Sequence, residues 1–168
     1  MESRLNTTST SPCVLVVDDD PSILSQLRLA LSREFEVLTA GDSDTAWRVA
    51  QREHPELVTL DLALDDNDPE TGFRLLEQLV RFDPFMKVVL VTGNDHESNA
   101  LRSVEQGAAD FFAKPVDAAE LTVLLRRVLA RGRLERQCAA TLQQLGDDLR
   151  LGSILGQSSS MQLLFRRI

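Results

Sequence analysis

"CVLVVDDDPSILSQLRLALSREF", residues 13–35, contains one complete β/α unit. Its first five residues are apolar and mostly β-branched, the composition of a strand buried on both faces. The run stops at three consecutive aspartates, Asp18, Asp19 and Asp20. Pro21 then suits the first turn of a helix, and Ile23, Leu27, Ala30 and Leu31 recur at helical spacing.

The same alternation continues outward along the chain. "EVLTA" (36–40) reads as a second strand and "SDTAWRVAQREH" as a second helix ended by Pro55. "ELVTL" (56–60) is a third strand, and "TGFRLLEQLVRF" a third helix stopped by "DP". "MKVVLVT" (86–92) is a fourth strand, followed by a fourth helix, "HESNALRSVEQG", with Gly107 as its C-cap. "ADFFA" (109–113) is a short fifth strand, and "DAAELTVLLRRVLARGRLERQ" opens a long fifth helix. Five such units predict an α/β fold, a doubly wound parallel sheet with helices on both faces and right-handed crossovers.

Composition narrows the function. The chain has 168 residues, 43% of them hydrophobic, enough for one ordinary domain with a core plus an appendage. A net charge of -8 argues against a general nucleic-acid surface, which needs a basic face. Cys13 and Cys138 have neither zinc spacing nor a CxxC pattern, and both read as buried thiols in a reducing compartment. No apolar run reaches membrane-spanning length and "MESRLNTTSTSP" lacks a signal-peptide core, so a cytoplasmic protein that engages no membrane is expected.

In doubly wound sheets, ligands bind beyond the carboxyl ends of the strands. Here strand one ends in the aspartate triplet, strand three in Asp61 and strand four in Thr92, while Lys114 and Pro115 follow strand five. Folding would gather them in one cleft. Clustered carboxylates repel each other unless a cation intervenes, and oxygen-only ligands without His or Cys point to Mg²⁺. With Mg²⁺ held by Asp18, Asp19 and Asp61, one oxygen of Asp61 can attack phosphorus in line. Lys114 offsets charge and the Thr92 hydroxyl binds a phosphoryl oxygen. A carboxylate needs no general base at neutral pH, and the product is an aspartyl phosphate. Singly, each residue has a plainer role: a helix N-cap for an aspartate or Thr92, a surface lysine for Lys114. Their joint occurrence at four strand ends is the specific signal.

"VLVVDDDPSIL", "LVTLDLAL", "VVLVTG" and "FFAKPVD" together resemble the receiver domain of a two-component response regulator, over about residues 12–132. The resemblance implies a flavodoxin-like five-stranded sheet of order 2-1-3-4-5 with a C-terminal helical extension. It implies Asp61 as phosphoacceptor, Asp18 and Asp19 as the acid pair, and the main-chain carbonyl of Ala63 as a further Mg²⁺ ligand. Thr92 and Lys114 become the switch hydroxyl and the site lysine, and Phe111 the aromatic switch residue, whose plainer reading is a core side chain at the sheet edge. A sensor histidine kinase is the implied donor. One departure stands out: where receivers carry a short "MP..DG" loop, this chain has "LALDDNDPETG" (62–72), longer and bearing Asp65, Asp66, Asp68 and Glu70. In this it is similar to the PEP-CTERM-box response regulators. The extra acids read as a solvated loop, as an aid to cation affinity, or as a kinase-docking feature.

Beyond the receiver, Cys138, Leu142, Leu145 and Leu149 follow coiled-coil spacing, weakened by Gly132 and Gly146. This reads as a dimerising signalling helix or as a helix packed on its own domain. "SILGQSSSMQLLFRRI", after a break at Gly152 and Gly156, is similar to the opening of the sigma-54-interacting AAA+ domain of NtrC-like activators. The expected organisation is a disordered leader (1–11), the receiver (12–132), a linker or coiled-coil helix (133–150) and the start of a truncated AAA+ domain (151–168). No Walker A loop or helix-turn-helix occurs, so ATP, sigma-54 RNA polymerase and DNA would be handled by further domains of a longer protein. A homodimer through the face of the fourth helix, fifth strand and fifth helix, together with the 121–150 helix, is the expected assembly. Two other readings compete: a phosphorylation-independent docking module, and a haloacid-dehalogenase-type phosphatase with Asp18 as nucleophile and Asp20 as general acid.

Overall fold

The three central strands are β-branched or leucine-rich and almost wholly buried, while the two edge strands are partly open. In the computed structural model the strands are β1 (Cys13–Val17), β2 (Glu36–Ala40), β3 (Leu57–Leu60), β4 (Lys87–Thr92) and β5 (Asp110–Ala113). All four pairings are parallel and the order is β2-β1-β3-β4-β5, as expected. The structure describes residues 11–64, 68, 70–93, 102 and 104–156, with side chains in the last helix as far as Leu145. The leader, Asp65, Asp66 and the tail after Gly156 lie outside the described residues. The chain divides into two compact units, Met1–Gly132 and Arg133–Ile168.

Each helix presents apolar residues to one face of the sheet. Helix α1 (Pro21–Leu31) buries Leu27 and Leu31 against Val14, Val16, Leu57, Val89 and Val91, and Leu121, Leu125, Val128 and Leu129 of the C-terminal helix (Ala118–Gly156) complete that layer. Helices α2 (Ser43–Glu53) and α3 (Thr71–Phe82) cover the other face. Ala46, Ala50, Phe73, Leu75, Leu76 and Leu79 pack there on Leu15, Val17, Val58, Leu60 and Leu90. A fully buried Leu or Phe contributes about 1.5–3 kcal/mol, so neither layer is dispensable.

Caps set the helix boundaries. Asp20 accepts from the Ser22 amide at 2.8 Å and starts α1; Asp42 accepts from the Thr45 amide at 2.7 Å and starts α2. Asp117 accepts from the amides of Ala119 and Glu120 and starts the last helix. Helix α1 is shorter than its pattern implied: it ends at Leu31, and Phe35, also apolar, serves the core from the turn before β2. Of the helix expected over 96–107, residues 102, 104 and 105 are described and helical, and Gly107 has the positive φ (+99°) expected of its cap.

Two expectations need correction. The helical pattern does not break at Gly152, since the last helix runs on to Gly156. A glycine inside a helix costs only about 1 kcal/mol, which the surrounding leucine and arginine residues can offset. Nor are the cysteines both buried: Cys13 is half-buried and Cys138 exposed. The reason is position. Cys13 opens β1 at the sheet rim, and Cys138 lies past Gly132, after which every described side chain of the helix is exposed. Burial, together with the nearby carboxylates of Glu36, Glu53 and Glu56, pushes the Cys13 thiol up to about 11. Iodoacetamide near neutral pH is therefore expected to modify Cys138 first. Cys13 holds roughly a hundredfold less thiolate than an ordinary thiol there, and its labelling rate should climb as pH is raised towards its pKa. Peptide mapping after a timed pulse at several pH values checks both.

Candidate functional site

The parallel register brings the strand ends together. Val17 is level with Ala40 on one side and Leu60 on the other, so Asp18 and Asp61 leave the sheet as neighbours. The ladder continues one residue further: the Asp18 amide donates to the Ala40 carbonyl (3.2 Å) and the Asp61 amide to the Val17 carbonyl (2.9 Å). Thr92 pairs with Ala113, and the Lys114 amide donates to the Thr92 carbonyl at 2.8 Å. Four expected site residues from four separate strands thus meet at one rim. The Lys114–Pro115 peptide bond is cis.

The side chains converge as well. Lys114 Nζ donates to Asp61 Oδ2 at 2.5 Å and to Asp18 Oδ2 at 2.9 Å. Asp18 is 1% and Asp61 5% exposed, whereas Asp19 is exposed. Short main-chain bonds aim the acids: the Asp20 amide donates to Asp18 Oδ1 (3.0 Å) and the Ala63 amide to Asp61 Oδ1 (3.1 Å). Burial pushes the Asp18 carboxyl up, more than the Lys114 ammonium pulls it down, and the Asp61 charge adds to the rise. For Lys114, burial pulls downward but is outweighed by the bonds to Asp61 and Asp18, so the ammonium is held above the usual lysine range.

Asp18, Asp19 and Asp61 each offer a carboxylate oxygen, and these atoms lie within 4.8 Å of one another. Oxygens on opposite sides of one Mg²⁺, each about 2.1 Å from it, are about 4.2 Å apart, so the donor set fits with minor side-chain adjustment. Removing Lys114 leaves two buried carboxylates uncompensated. Lys114→Ala is expected to lower stability by about 2 kcal/mol in chelator, less than for a fully buried pair because the lysine side chain is 24% exposed. Millimolar Mg²⁺ should restore part of that loss by supplying the missing positive charge. Urea unfolding with EDTA and with MgCl₂ measures both.

The remaining expected residues flank the acids. Thr92 is buried, and among the described residues its hydroxyl donates one long bond, to the Gly93 carbonyl (3.4 Å). Phe111 is 50% exposed, which removes the core reading of that ring. Sequence reasoning missed what holds the acidic loop. Arg74 pairs with Asp68 at 2.5 Å, and Arg102 pairs with Glu70 through two bonds. These carboxyls are held below their ordinary range by their arginine partners. Asp68 and Glu70 are thus neither freely solvated nor placed in the cation cluster. The Glu70–Arg102 pair spans 32 positions and leaves no local sequence signal. Gly72 was likewise seen only as a loop landmark: a Cβ there would lie 2.5 Å from the Leu62 carbonyl oxygen.

The family model of the response regulator receiver domain matches residues 14–126. The chain belongs to the receiver-domain family. Among similar proteins, this receiver is 33% identical over 156 residues to the DNA-binding transcriptional regulator NtrC of Bradyrhizobium sp. (strain RP501 Parasponia), a match covering 91% of this chain and 31% of that protein. It is 30% identical over 143 residues to the alkaline phosphatase synthesis transcriptional regulatory protein PhoP of Bacillus subtilis (strain 168), covering 84% of this chain and 57% of that one. The crystal structure of the receiver domain of NtrX from Brucella abortus superposes with a TM-score of 0.65 at 33% identity, covering 70% of this chain and 98% of that domain. The chain spans about a third of the length of the NtrC relative it matches. The receiver of a two-component response regulator, of NtrC-like type, is what its sequence and fold constitute. Such a domain is a regulatory module rather than a conventional enzyme. Among the described residues no helix is long and apolar enough to cross a membrane.

Proposed function

We propose that this receiver accepts a phosphoryl group on Asp61 from the phosphohistidine of a sensor histidine kinase. The observation that carries this reading is the Lys114 ammonium bridging Asp61 and Asp18, beside three carboxylate oxygens gathered for one cation. An Asp61 oxygen attacks phosphorus as the phosphorus–nitrogen bond to the kinase histidine breaks, and the imidazole leaves with that electron pair. Asp18, Asp19, Asp61 and the Ala63 carbonyl would hold Mg²⁺, which would supply positive charge against the phosphoryl oxygens. Lys114 moves its hydrogen bonds onto the transferred group, and the Thr92 hydroxyl, weakly bonded in the unphosphorylated chain, donates to another oxygen. As Thr92 shifts, Phe111 turns inward from its half-exposed position. The same site can return the phosphoryl group to water.

The output runs through the long helix. Leu134, Leu142 and Leu145 are exposed along it, which favours a homodimer through this helix and the face of the 96–107 segment, β5 and the helix that follows it. In a longer, cytoplasmic protein this dimer would govern a sigma-54-dependent activator whose ATPase and DNA-binding functions reside in other domains, with 133–150 as the linker and 151–168 as the start of the AAA+ domain. The phosphatase reading loses its general acid, because Asp20 is engaged in capping α1. The experiment is incubation with acetyl phosphate and Mg²⁺. One phosphoryl adduct mapping to Asp61 by tandem mass spectrometry supports the proposal, and an adduct on Asp18 or none at all overturns it.

A further inference from the structure

We propose that Glu70 and Arg102 form a latch that opposes the change of conformation driven by phosphorylation of Asp61, an inference that rests on Asp61 being the acceptor. Glu70 lies nine positions after Asp61 and Arg102 ten after Thr92, so the pair ties together the chain leaving β3 and the chain leaving β4. The contact is more than a passing surface pair. Arg102 donates from Nη1 to Glu70 Oε1 at 2.9 Å and from Nη2 to Oε2 at 2.6 Å, a planar fork on both carboxylate oxygens. Its guanidinium carbon also stands 4.0 Å from the centroid of the Phe73 ring. Phe73 is a core residue of α3, so the arginine rests on a part of the molecule that does not give way. Glu70 immediately precedes α3, yet its side chain makes no capping bond to that helix. Its carboxylate is directed to Arg102 instead.

The neighbouring pair, Arg74 with Asp68, differs in reach. It joins the loop to α3 six positions away and stays on one side of the site. Only Glu70–Arg102, among the described ion pairs, joins the acceptor loop to the segment that follows the switch hydroxyl. Arg102 belongs to that segment, and the described residues Val104 and Glu105 are helical with it. A phosphoryl group can move the segment only by as much as it favours the new arrangement over the old. Every contact made only in the unphosphorylated arrangement subtracts from that difference. An exposed ion pair alone would shift the balance barely twofold, but the bidentate geometry and the cation–π contact raise the expected effect to about three- to tenfold.

The test is a titration of the 168-residue chain with beryllofluoride, a phosphoryl mimic, at saturating Mg²⁺, followed by amide NMR. Glu70→Gln and Arg102→Gln should each lower the half-saturating concentration about three- to tenfold, and the double variant should gain little over either single one. The reciprocal exchange Glu70→Arg with Arg102→Glu should return half-saturation towards wild type, which a merely structural role for either residue would not produce. Unchanged or raised half-saturation in both single variants, alongside saturable uptake by wild type, overturns the latch alone. A wild-type chain that takes up no beryllofluoride overturns the acceptor reading and the latch with it.

Discussion

Asp61→Asn is expected to reduce labelling by acetyl phosphate at least about a hundredfold while leaving the receiver folded. An amide oxygen carries no ionised lone pair to attack phosphorus, so the covalent step loses its nucleophile rather than one of its helpers. The substitution is nearly isosteric. Its side-chain oxygen can still accept from the Ala63 amide, as Asp61 Oδ1 does at 3.1 Å. Lys114 keeps Asp18 as a partner at 2.9 Å, and one of two like charges sharing a buried site is gone. Urea unfolding should therefore lie within about 1 kcal/mol of wild type, which separates lost chemistry from lost structure. Asp18→Asn supplies the contrast. It leaves the nucleophile but weakens the cation cluster, so labelling should persist with the Mg²⁺ requirement raised at least about tenfold. The reverse pattern, with Asp18→Asn inert and Asp61→Asn harmless, would turn the assignment towards a phosphatase with Asp18 as its nucleophile.

Gly72→Ala is expected to cost about 2–4 kcal/mol of stability, a large loss for a single added methyl. The added methyl would sit 2.5 Å from the Leu62 carbonyl oxygen and 2.6 Å from its Cα. Both are backbone atoms, so no side chain can swing aside, and either the first turn of α3 or the loop must move. Leu62 directly follows Asp61, and the residue after it, Ala63, donates the amide that aims the Asp61 carboxylate. The displacement should therefore appear twice, in urea unfolding and as slower labelling by acetyl phosphate in the fraction that remains folded. Gly93→Ala is the control for stability, since a Cβ there meets nothing within 4 Å. A Gly72→Ala receiver as stable as wild type would mean that the loop yields without cost.

The strands were legible because each is a short run of β-branched or aromatic residues flanked by acids, glycine or a Lys-Pro step. "CVLVV" and "EVLTA" coincide with β1 and β2 residue for residue, while β3, β4 and β5 each begin one residue later than their patterns. Helix ends were less legible. The apolar spacing that includes Phe35 does not distinguish a helical turn from a connection that serves the same core. Leu142 and Leu145 follow coiled-coil spacing and are exposed, so the pattern by itself left open what covers them, and Cys138 is exposed where a buried thiol was expected.

Periodicity and strand-end chemistry by themselves determined a doubly wound sheet with acids, a hydroxyl and a lysine at its carboxyl rim. These signals are local: each needs only a residue's place within its own strand or helix. The tertiary structure alone decided that Lys114 bridges Asp18 and Asp61, that arginines neutralise the Asp68 and Glu70 carboxylates, that Gly72 lies against the Leu62 backbone and that Phe111 faces outward. Each of these depends on groups that meet only once crossovers and register are set, and a pairing between positions 70 and 102 has no periodicity to betray it.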